Sequence, residues 1–85
     1  MDHHEAAIRF TGLPPYTDEE FIREACKANG GDVEEVIFFD DKGGGVVLKG
    51  AVVKLKNADV GDTHHIVHVL KEYGHGGLSF GVEEI

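Results

Sequence analysis

Ile8-Arg9-Phe10-Thr11-Gly12-Leu13-Pro14 is the stretch from which the fold is read. Ile8 and Phe10 alternate with Arg9 and Thr11, the period-two pattern of a strand with one face on a core and the other free. Gly12 and Pro14 end the strand and turn the chain. Thr17-Asp18-Glu19-Glu20 follows with the pattern of a capping box, in which the Thr17 hydroxyl caps an amide three residues on and Glu20 reaches back. A strand therefore passes through a tight Gly-Pro loop into a helix, and its free face carries an arginine.

Working outward, the first helix is expected from about Asp18 to Ala28. Phe21, Ile22 and Ala25 lie on one face and Ala28 completes it, and Asn29-Gly30-Gly31 gives a left-handed stop. Residues 33–39 read as a second strand, with Val36 and Phe38 inward and Ile37 and Phe39 outward. Residues 40–45, Asp-Asp-Lys-Gly-Gly-Gly, read as a flexible hairpin loop. A third strand then runs to about Lys56, with Ala51, Val53 and Leu55 inward and Gly50, Val52, Lys54 and Lys56 outward. A second helix is expected over Asn57–Tyr73, with Val60, Thr63, Val67 and Leu70 on its apolar face and Ile66 flanking them. After the Tyr73-Gly74-His75-Gly76-Gly77 break, Leu78, Phe80 and Val82 alternate as a fourth strand. The order β-α-β-β-α-β predicts an α+β fold of the ferredoxin-like, split βαβ kind. It implies a four-stranded antiparallel sheet of order 4-1-3-2 with two helices on one face. Residues 1–6 form a disordered lead to a single domain over 7–85.

Eighty-five residues suffice for one two-layer core, and a hydrophobic content of 41% is that of a globular chain. Nothing approaches the roughly 18 apolar residues of a membrane span, and no signal-peptide region is evident. Cys26 stands alone, so no intramolecular disulfide forms, which fits a reducing, intracellular compartment. Sixteen acids against eight bases give a net charge of −8, which taken alone argues against nucleic-acid binding. The distribution points the other way. Arg9, Lys42, Lys49, Lys54 and Lys56 are expected on the open sheet face or its adjoining loop, while the acids crowd the helices and the ends. A locally positive face is the expectation, diluted by Glu83 and the Asp40-Asp41 pair.

With this element order the chain resembles an RNA-recognition motif over about residues 7–84. Ile8–Leu13 sits where that family's short signature lies, and Leu48–Leu55 where its long one lies. The family stacks bases on aromatic side chains of the two central strands. At the corresponding positions this chain has Arg9, Gly50 and Val52, and of these Arg9 offers a guanidinium plane. The chain is more similar to the quasi-RRM subgroup of heterogeneous nuclear ribonucleoproteins F and H, which lacks those aromatics. The shared features are the run into Gly12-Leu13-Pro14 and the Lys71-Glu72-Tyr73-Gly74-His75 segment. That subgroup holds guanine-rich single strands with three loops. The basic residue before its Gly-Leu-Pro is Thr11 here, and its following aromatic is Pro15, with Tyr16 one place later. The resemblance implies a noncanonical single-stranded RNA-binding domain of weak affinity, acting in RNA processing within a larger, nuclear protein.

The RNA-binding residues expected are Arg9, Thr11, Tyr16, Phe39, Lys42, Lys49, Val52, Lys54 and His75. Arg9, Lys49 and Lys54 would meet phosphate, Lys42 would close over the strand, and Tyr16, Phe39 and His75 would supply rings. The alternative is a protein-interaction domain that no longer binds RNA and uses its acidic helices or an exposed Ile37 and Phe39. His64 and His68 at i, i+4 spacing invite a metal reading, but no third or fourth ligand is evident. No nucleophile–base pair or carboxylate dyad appears, so the chain is read as a monomeric binding module and not an enzyme, with no cofactor and no membrane.

Overall fold

The computed structural model describes residues 6–43, 45–56 and 58–85; residues 1–5 of the lead expected over 1–6, Gly44 of the expected hairpin loop and Asn57 at the expected start of the second helix lie outside them, whereas Ala6 packs against the core and its carbonyl accepts from the Leu55 amide at 2.9 Å. Six elements follow in the expected order: β1 (Ala7–Leu13), α1 (Glu19–Lys27), β2 (Val33–Gly43), β3 (Val46–Leu55), α2 (Val60–Tyr73) and β4 (Gly81–Glu84). The strands form one antiparallel sheet of order β2-β3-β1-β4, the ferredoxin-like arrangement.

The core sits between one face of the sheet and the two helices. Ile8, Phe10 and Leu13 of β1, Ala51, Val53 and Leu55 of β3, and Val82 of β4 meet Ile22, Ala25 and Cys26 of α1 and Ile66 and Leu70 of α2. Phe10 and Leu13 are three residues apart, so simple alternation would place them on opposite faces. A bulge reconciles them: β1 spends one more residue than β3 between the pairs Phe10↔Ala51 and Leu13↔Lys49. Gly12 takes the left-handed backbone this needs, with φ 71°. Its amide, out of the ladder, donates to Asp41 Oδ2 at 2.8 Å.

Several sequence expectations shift. Asp18, not Thr17, caps α1: Asp18 accepts from the Phe21 amide, while Thr17 is drawn under a turn closed by its own amide on Pro14 O at 3.0 Å. The Thr17 hydroxyl is buried without a hydrogen-bond partner. Ala28 is exposed and Cys26 takes its place in the core. In α2 the buried line is Thr63, Ile66 and Leu70, with Val60 68% exposed, so the helix is rolled to centre Ile66. Asp59 and Asp62 form a reciprocal capping box at its start. The stretch expected as a loop is mostly strand: Asp40 pairs with Lys49, Asp41 with Leu48 and Lys42 with Val47. The ladder runs on to Gly43, with the β-branched Val47 opposite Lys42. Conversely, β4 is only four residues long. Leu78 pairs instead with His75 in a tight hairpin whose central Gly76 and Gly77 both have positive φ.

Candidate functional site

The face of the sheet away from the helices is built by strand alternation. Ala51 and Val53 point into the core, so Gly50, Val52 and Lys54 point out, and their cross-strand partners follow. One row across the sheet reads Ile37, Val52, Arg9, Glu83 from β2 to β4. A neighbouring row pairs Phe39 with Gly50 and, beyond the bulge, Thr11 with Gly81. Lys54 pairs with Glu35 on β2 and Ala7 on β1.

Glycine at position 50 decides what this face presents. A β-carbon there would collide with the Phe39 ring, which lies over the glycine and leaves it buried. Phe39 is half-buried. A β-carbon at Gly81 would likewise meet the Thr11 hydroxyl, although Gly81 itself stays exposed. Among the described residues Phe39 is the one Phe or Tyr whose strand position places it on this face. It projects from β2 across β3, next to half-buried Val52 and to Ile37, which is 48% exposed.

The charges are arranged differently from expectation. Arg9 gives Nε and Nη2 to Glu83 Oε1, Nε at 2.6 Å. Lys54 Nζ lies 3.6 Å from Glu35 Oε1. Both cations remain partly exposed, but each already has a carboxylate, and Asp41 adds a third acid on this side. The face expected to be positive therefore carries two cations against three carboxylates on these strands. Lys49 is not on it. It shares the parity of Ala51, and its ammonium donates to Thr17 O at 2.6 Å while sitting 4.2 Å from the Phe38 ring centre. It ties the β1–α1 loop to β3, so its ammonium lies away from the open face on which the sequence pattern placed it. Lys42 is exposed near the end of the β2–β3 ribbon.

The remaining candidates are scattered over loops. Tyr16 stands 78% exposed in the turn before α1. His75 is half-buried, packed edge-on to Phe21 with ring centres 5.3 Å apart. His64 lies 3.7 Å from Glu84 Oε2, and among the described residues no three histidine, cysteine or acidic side chains converge as a metal site would need. An open groove of about 570 Å³ flanks α1, lined by Glu20, Arg23, Glu24, Lys27 and the Gly30–Val33 segment, and includes none of the expected site residues. Among the described residues no helix is long and apolar enough to cross a membrane.

The structure thus brings Arg9, Thr11, Phe39, Val52 and Lys54 onto one face and leaves Tyr16, Lys42, Lys49 and His75 off it. The carboxylate of Glu83, expected there as a diluting charge, belongs to it, and so does that of Glu35, which the sequence reading did not name. The strand parity of Glu35 and its alignment with Lys54 were the signal that could have found it. No family model, no curated protein and no solved structure matches the chain.

Proposed function

We propose that this chain is a noncanonical domain of the RNA-recognition-motif type that binds single-stranded RNA on its open sheet face. The observation that carries this reading is the Phe39 ring laid over Gly50. A base stacked on an aromatic ring gains about 1–3 kcal/mol and needs no particular sequence. In a domain of this type the rings would come from the two central strands; here β2 supplies one from across its pairing with β3, and a glycine makes room. Val52 and Thr11 give the flanking surface, and Arg9 and Lys54 stand within the same face for phosphate or guanidinium stacking.

The geometry favours the sheet over the loops as the binding surface. His75 is engaged with Phe21, and the Lys49 ammonium is committed to the β1–α1 loop. One ring and two pre-paired cations make a weak site, so useful affinity requires neighbouring domains in a larger protein, consistent with a role in RNA processing. Phe39→Ala is expected to weaken binding of a fluorescently labelled uridine-rich octamer by about tenfold or more, read by anisotropy at low salt. An unchanged affinity in that variant overturns the reading.

A protein partner is the second reading, favoured by Ile37, nearly half exposed beside Val52 on a face whose charges already satisfy one another. Under it the octamer does not bind, and Ile37 becomes the sensitive position.

A further inference from the structure

Four charged side chains on the open face are joined in pairs across strands. Arg9 of β1 is held by Glu83 of β4, and Lys54 of β3 by Glu35 of β2. All four side chains are between a third and just over a half exposed, so solvent and ligands reach both pairs. Arg9–Glu83 continues the Ile37–Val52 row toward β4, Lys54–Glu35 lies in the next row along the strands, and Phe39 stands two residues along β2 from Ile37 on the other side of that row. A strand of RNA stacked on Phe39 therefore carries its phosphates past cations that are already neutralised.

Resting on the RNA reading above, we infer that Glu35 and Glu83 are built-in competitors for phosphate, an autoinhibitory contact that a backbone phosphate must displace. Exposed ion pairs are individually weak, so phosphate can exchange for the carboxylate. The displaced carboxylate stays on the same face and repels the incoming backbone. The consequence is selection by stacking. Ligands that fit the ring are held, and polyanions without accessible bases are refused, in keeping with a chain of net charge −8. Removing the carboxylates frees two cations and converts the face to an electrostatic binder.

The test compares Glu35→Gln/Glu83→Gln with wild type and with Glu24→Gln/Glu72→Gln, a charge-matched control on the two helices, using the labelled uridine-rich octamer. The expected gain is about twofold to fivefold per carboxylate for the sheet-face variant and none beyond the general charge effect for the control. The salt dependence should steepen toward a slope of about −1.4, as two freed cations meeting single-stranded phosphates require. If wild type binds and the sheet-face variant matches the control in affinity and slope, the inference is overturned and the RNA reading stands. If none of the three proteins binds, the RNA reading itself falls, and the inference with it.

Discussion

Cys26 lies on α1 with its side chain wholly enclosed by the core, and burial pushes its thiol up to about 12. The unfolded chain releases that proton near 9. Between these values the unfolded state binds fewer protons than the folded one, so stability is lost as pH rises through this window. Urea unfolding should show the wild type losing about 1.4 kcal/mol per pH unit above 9 relative to Cys26→Ala, with the two parallel below pH 8. A constant difference across that range would contradict the enclosure. At this scale the sequence was legible where alternation was unbroken: the parity that put Ala51 and Val53 inward also put Val52 and Lys54 outward. The same parity applied to Lys49 sends it inward, where the Phe38 ring and Thr17 carbonyl receive its ammonium. What no pattern discloses is a ring crossing to a neighbouring strand, because Phe39 and Gly50 meet only through the register of β2 with β3.

Elements were legible in kind and order, and less so at their ends. β1, α1, the Asn29-Gly30-Gly31 stop and α2 follow from periodicity and breakers. Their boundaries depended on interactions of single residues. The bulge at Gly12 keeps Leu13 in the core, and cross-strand pairs carry β2 past the residues that look like a loop. The start of α1 offers two candidate caps in succession, and tertiary packing chooses: the turn from Pro14 buries Thr17, leaving Asp18 extended with its carboxylate on the Phe21 amide. Asp18→Ala should therefore cost about 1 kcal/mol in urea unfolding. Thr17→Val should be neutral or stabilising, since it removes a buried hydroxyl that has no partner. The reverse ranking would restore Thr17 as the cap.

For the whole molecule, the succession of strands and helices was enough to give sheet order and layering, because short connections leave few ways to cover one sheet face with two helices. The charge count was equally legible but its geometry was not. Net charge says nothing of pairing, and the cations Arg9 and Lys54 of the face expected to be positive are each paired with a carboxylate arriving from an edge strand. The function proposed for that face rests on one ring rather than on a field. An amide NMR titration of the intact chain with an unlabelled uridine-rich octamer at low salt asks the question most directly. Binding on the sheet face predicts saturable shifts centred on Phe39, Gly50 and Val52, extending to Arg9 and Thr11, with Val60 and Tyr73 on the far helix unmoved. Shifts confined to the helices or to the loops around Tyr16 and His75, or an unchanged spectrum at millimolar RNA, would contradict it.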